Sequence, residues 1–255
     1  MAPKLKLAFQ SLYQKYKSQL SLYLKTLVVG FLLWSVSWRD FQTIPILFFA
    51  VIAAIFYIRP FFDGYYTWGA FLIFLIVSIL GLKIVFGSIL FWPVLFLFLA
   101  VFYLLLGIKD YFFVKRARLY FVSILILFYS VFIIFFLAGK SEFFFLKFGL
   151  VILASFILFK EWLAIIPSFH FPQREFIAAS VAAFLVAQLL WVVALLPIGF
   201  ISSANLMLLF IFSLADFLLK HFTGAISRKF IFQHSVFFLA LSALIFWTSE
   251  WTLNI

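Results

Sequence analysis

The chain has 255 residues, 68% of them hydrophobic, a mean hydropathy of +1.26 and no cysteine. That composition excludes a soluble globular domain, disulfides, thiolate metal sites and a cysteine nucleophile. The formal charge of +11 would suggest nucleic acid in a soluble protein; here the basic residues flank long apolar runs, so anionic lipid headgroups are the expected partner and nucleic acid is not.

A helix needs about 20 residues to cross the hydrocarbon core of a bilayer. Lipid cannot hydrogen-bond a backbone, so only helices or closed barrels cross it. Barrel strands would alternate polar and apolar side chains, whereas the apolar runs here are continuous. The expected fold is therefore all-α, a polytopic transmembrane helical bundle. The 42 phenylalanines read as a compositional bias that a membrane protein tolerates, since lipid-facing positions accept any large apolar side chain, and they do not by themselves indicate an aromatic-lined cavity.

Residues 1–19 read as a basic amphipathic interfacial helix. Phe9, Leu12, Tyr13 and Tyr16 follow 3–4 spacing that continues through Leu20 and Tyr23. Lys4, Lys6, Lys15 and Lys17 flank the stripe and would meet anionic lipid. This is not a cleavable signal peptide: the apolar stretch after Lys25 ends at Ser35-Val36-Ser37-Trp38-Arg39, without a small-residue cleavage pattern.

Residues 20–255 read as a single transmembrane domain of about nine spans. They fall near Leu20–Trp38, Thr43–Ile58, Tyr66–Leu82, Ile84–Leu106, Leu119–Ala138, Phe144–Ala164, Phe176–Pro197, Ser202–Leu219 and Phe230–Trp247. Pro45 and Pro93 come early in their spans, and a bend is expected near Trp92-Pro93. The turn Pro197-Ile198-Gly199, with Ser202 and Ser203 as caps, should make spans seven and eight a tight antiparallel hairpin. All loops are short, and no Gly-rich nucleotide motif or internal repeat is present.

The positive-inside rule sets the orientation. With the N-terminus in the cytoplasm, fifteen Lys and Arg fall inside, including Lys115, Arg116 and Arg118 in one loop, and four fall outside. The C-terminus is then outside. Trp34, Trp38, Trp247 and Trp251 fall near the outer interface, Trp68 and Trp162 near the inner one, and Trp191 within a span. The absence of a transit peptide points to the plasma membrane.

Ionisable groups within spans are costly and therefore informative. Asp216 lies in the eighth span, with Lys220 at the favourable i,i+4 spacing. His170, His221 and His234 fall on the same cytoplasmic face as Asp216, Glu161, Arg174 and Glu175. Such a cluster has the residue types for general acid–base chemistry or a metal. The spacing matches no catalytic motif, and solvated interfacial side chains are the expectation, with Arg174, Arg228 and Lys229 on lipid phosphate. No metal or cofactor is expected.

Gln188 is the strong hydrogen-bonding side chain near the centre of a span. It lies beside a small-residue stripe at Ala179, Ala183 and Ala187, with Ala178 and Ala182 adjacent. Small residues let helices approach, and a buried amide would bond across the contact. The seventh span should therefore be among the most buried.

Three functions follow. The first is a non-enzymatic scaffold or accessory subunit with a membrane-protein partner, favoured by the scarcity of mid-membrane charge. The second is a carrier for an apolar or lipid-like substrate, with Gln188, Trp191 and Asn205 along its path. The third is a small lipid-modifying enzyme using His170, Asp216, His221 and His234. Convergence of those four would favour the enzyme, and a cavity at Gln188 the carrier.

Overall fold

The computed structural model describes residues 2–58, 68–109, 116–137, 144–166 and 172–249. The described residues form nine α-helices: α1 (Ala2–Trp38), α2 (Thr43–Ile58), α3 (Trp68–Val85), α4 (Phe91–Lys109), α5 (Arg116–Leu137), α6 (Phe144–Ile165), α7 (Pro172–Leu195), α8 (Phe200–Phe222) and α9 (Arg228–Thr248). Eight are long and apolar enough to cross a membrane, while α2 has 16 residues. The chain is a multi-pass helical membrane protein.

Hydropathy locates these helices because each apolar run must satisfy its backbone internally. It is less able to locate the turns. The fourth span was expected from Ile84, but α3 continues to Val85 and α4 begins at Phe91. The turn is made by Gly87 in the left-handed region (φ 77°) and by Ser88, whose amide donates to the Val85 carbonyl. Ile84, Phe86, Ile89 and Leu90 around it are apolar, so the hydropathy signal runs through the break. The shift places Pro93 in the first turn of α4, where its missing N–H costs nothing. The expected bend has no cause there.

One further expectation is corrected. Ser202 and Ser203 are not caps: the N-cap of α8 is Gly199, with no side-chain cap bond. The hairpin itself is present, with α7 and α8 in contact across residues 196–199. At the N-terminus, α1 is one continuous helix whose apolar, membrane-length part is Gln19–Trp38.

The chain divides into two compact units, residues 1–64 with 74–114, and residues 65–73 with 115–255. In the first, α1 packs on α2 and α4. Its core includes Val29, Leu33, Phe49, Phe74 and Phe102. Tyr23 and Tyr103 stack at 5.3 Å between ring centroids. Helices α1 and α4 approach closely at Gly30, where an added Cβ would come within 2.8 Å of the Leu99 side chain.

In the second unit, α6 packs on α7 and α5, α5 on α8, and α8 on α9. Its core includes Phe128, Phe132, Phe159, Ala182, Val186 and Met207. Ala179, Ala182, Ala183, Val186, Leu190 and Val193 form the buried stripe of α7. In its most apolar 18-residue stretch α7 is 39% buried, equal to α5 and second to the 44% of α8 within this unit. Helix α9 touches α8, and Ser242 is its one buried residue.

Gly30→Leu should lower stability by roughly 1–3 kcal/mol, the usual cost of overpacking. Gly149→Leu, at an exposed position with nothing within 4 Å, should leave it unchanged. Thermal unfolding in detergent measures both, and equal midpoints would contradict the packing at Gly30.

Candidate functional site

Two polar constellations stand out, both in the second unit. The first centres on Glu161, near the end of α6. Helix α3 begins at Trp68, so its first amides have no intrahelical acceptor. The Gly69 amide donates to Glu161 Oε1, and the Ala70 amide donates to Oε2 at 2.8 Å. The Tyr120 hydroxyl on α5 donates to Oε2 at 2.6 Å. One carboxylate thus accepts bonds from two other helices. It lies at the positive end of the α3 dipole, where negative charge is favoured.

Gly69 makes this approach feasible. A Cβ there would collide with Ile157 Cγ2 and sit 2.9 Å from Glu161 Oε1. The neighbouring Trp162, near the end of α6, is buried in protein. It is 5% exposed and packs on Phe121 at 5.1 Å and Phe159 at 6.4 Å.

The second constellation lies between α8 and α9. A backbone turn sets their register: Gly224 (φ 67°) donates to the His221 carbonyl and Ala225 to the Lys220 carbonyl, closing α8. Ser227 then caps α9 by accepting from the Phe230 amide at 3.1 Å. This brings His234 to Asp216, with Nε2 to Oδ2 at 3.2 Å. The ring N–H is not aimed at the carboxylate, so Nε2 is buried without a hydrogen bond among the described residues. Rings of Phe217, Phe230 and Phe237 surround the imidazole.

The Asp216–Lys220 pair expected from i,i+4 spacing is replaced by Asp216–His234. Lys220 Nζ instead sits 5.8 Å from the Phe230 ring centroid. An open groove of about 610 Å³ runs beside the pair, with Phe212, Phe232 and Phe237 in its wall.

Of the four residues whose convergence would favour an enzyme, the structure joins Asp216 and His234. His221 is exposed and lies against Phe222, and His170 lies outside the described residues. Among the described residues no three of His, Asp and Glu are placed to hold a metal ion.

Gln188 corrects a second expectation. It is exposed on α7, facing away from the alanine stripe, and makes no hydrogen bond across a helix contact among the described residues. Asn205 is half-buried, and no hydrogen bond among the described residues joins it to Gln188. Trp191 packs against Phe144, Phe145 and Phe148 of α6. Of the expected lipid-facing cations, Arg118, Arg228 and Lys229 are exposed near helix ends. Lys4, Lys6, Lys15 and Lys17 lie along α1, Arg116 opens α5, and Lys115 is outside the described residues.

Sequence reasoning placed Glu161 on a shared polar face and missed its role. The available signal was a lone acid near the end of an apolar run, which needs donors from elsewhere. With this geometry established, comparison with protein-family models, curated proteins and solved structures finds no match.

Glu161→Ala should destabilise the protein by roughly 3 kcal/mol or more, since stranding one buried polar group costs about 1–3 kcal/mol. Glu161→Gln keeps one acceptor oxygen and should cost less. The readout is the unfolding midpoint in detergent, and a native-like midpoint for Glu161→Ala would contradict the clamp.

Proposed function

We propose that this protein is a scaffold or accessory subunit of a membrane complex, without catalytic activity of its own. It sits in the plasma membrane with its N-terminus in the cytoplasm and its C-terminus outside. The observation supporting this reading is the occupancy of Glu161. A carboxylate has about four lone-pair sites, and three are taken by Gly69, Ala70 and Tyr120. An acid that moved protons, ions or substrate would need to keep acceptor capacity free for them. Here that capacity is used to fix helices in place, which suits a protein whose role is to hold shape for a partner. The exposed cations Arg118, Arg228 and Lys229 suit contact with anionic headgroups.

Two experiments test the reading. Solubilised gently from its own membranes, the tagged chain should migrate in a native gel as a complex heavier than itself, with another membrane protein in stoichiometric amount. Migration as the isolated chain would contradict the accessory role. The natural absence of cysteine makes orientation directly accessible. Ser88→Cys, in the α3–α4 turn, should react with an impermeant maleimide in intact cells. Thr223→Cys, after α8, should react only once the membrane is opened. The reverse pattern would overturn the orientation.

A further inference from the structure

Helix α8 carries most of its polar residues on one side. At about 100° per residue, Ser202, Asn205, Ser213, Asp216 and Lys220 fall within an arc of about 80°, with Ser203 and His221 outside it. An amphipathic helix ordinarily turns such a side to water. Here it meets α9: Asp216 contacts His234, and Phe217 and Lys220 lie against Phe230. The facing stripe of α9 is Phe230, His234, Phe238 and Ser242, at four-residue spacing and half-buried or buried, while most residues between them are exposed.

This seam holds the three buried polar atoms that have no hydrogen bond among the described residues: Ser213 Oγ, His234 Nε2 and Ser242 Oγ. Ser213 is 6% exposed and Ser242 9%. Buried Ser37 and Ser155 donate to the carbonyl four residues back in their own helices; these two serines do not. A buried hydroxyl without a partner is costly, and water is what commonly supplies the missing bonds.

The Asp216–His234 contact at 3.2 Å fixes the register of the two helices. At 1.5 Å per residue from the α8–α9 turn, Asp216 and His234 lie about 9 Å in, Ser213 about 14 Å, Ser242 about 21 Å, Asn205 about 26 Å and Ser202 about 30 Å. The series spans the hydrocarbon core, which is about 30 Å thick. No step exceeds about 8 Å, and at about 2.8 Å per bond one or two waters bridge each. Asp216 also has the free capacity that Glu161 lacks. Its side chain is 31% exposed beside His234, and it accepts no hydrogen bond among the described residues. The groove at its side, about 610 Å³, is lined as well by the exposed amide of Gln233, so its polar wall both donates to water and accepts from it.

We infer that the α8–α9 seam is a proton path through the membrane. A proton from the groove passes between Asp216 and His234, then through water to Ser213 and Ser242, and leaves past Asn205 and Ser202. Each serine hydroxyl takes a proton from the water on one side and gives its own to the water on the other. One proton enters, one leaves, and only O–H and N–H bonds form and break. Asn205 holds water in the line without taking the proton. Hydroxyls suit this cargo because they donate and accept. A metal cation needs about six oxygens around it at once, whereas the seam offers its oxygens one depth at a time. The inference goes beyond the accessory role and holds whether or not the chain recruits a protein partner.

The test uses the full chain in liposomes with a trapped pH dye and an inside-negative potassium diffusion potential set by valinomycin. The interior should acidify faster than in protein-free liposomes. The double variant Ser213→Ala, Ser242→Ala removes both unpartnered hydroxyls. It should slow the protein-dependent flux by about tenfold or more, the rate equivalent of one lost hydrogen bond. Its unfolding midpoint in detergent should not fall, because neither hydroxyl has a bond to lose; a purely structural role would move the midpoint and not the flux. Ser155→Ala, whose hydroxyl bonds within its own helix, should leave the flux unchanged. Asp216→Asn, which keeps the shape of the side chain, should also slow the flux and decides the matter if the double variant does not fold. Acidification no faster than in protein-free liposomes would overturn the proposal. So would native flux in the folded double variant or in Asp216→Asn.

Discussion

Lipid offers no hydrogen bonds, and the carboxylate of Glu161 is where this constraint shapes the protein most visibly. A transmembrane helix satisfies its own backbone except at its ends. The start of α3 presents free amides, and Glu161 on α6 accepts from two of them while also accepting from Tyr120 on α5. Other hydroxyls take a simpler route. Ser37, Ser123, Ser130, Ser155 and Ser180 each donate to the carbonyl four residues back in their own helix. Those bonds satisfy the side chain and join nothing.

Between the helices, contact rests on shape. Phenylalanines interleave in the cores of both units, and small residues set the closest approaches, at Gly30 in the first and at Gly69 and the alanines of α7 in the second. Apolar burial gives little preference between one helix arrangement and another when the surrounding solvent is itself apolar. Packing complementarity and a few directed polar bonds must then define the fold. Helix α9 illustrates the minimum: it is held to α8 by a backbone turn, the Asp216–His234 contact and aromatic rings, and Trp247 near its far end is 91% exposed.

Most helices were legible because a spanning run is a long, local signal. Thr43–Ile58 and the start of α6 at Phe144 coincide with the expected bounds. The turn at Gly87 was hidden because its neighbours are as apolar as the helices it joins. Gln188 was misread by adjacency along the chain. At 3.6 residues per turn, nine residues from Ala179 bring it about 180° round the helix, away from the buried stripe. Glu161 posed a different difficulty. Its partners are 41 and 91 or 92 residues away, and nothing local in the sequence selects Tyr120 or the start of α3. Asp216 was assigned to the nearest cation on its own helix; the α8–α9 turn supplied a competing partner that helical spacing alone does not reveal.

The central claim is that Glu161 and Tyr120 act together as an interhelical clamp, and a double-mutant cycle addresses it most directly. Tyr120→Phe, Glu161→Gln and the double variant would be unfolded in the same detergent. The account predicts a double variant less destabilised than the sum of the single variants, with a coupling of about 0.5–2 kcal/mol, the scale for bonded neighbours within membranes. Strict additivity would mean that the hydroxyl and the carboxylate stabilise the protein independently, and would contradict the clamp.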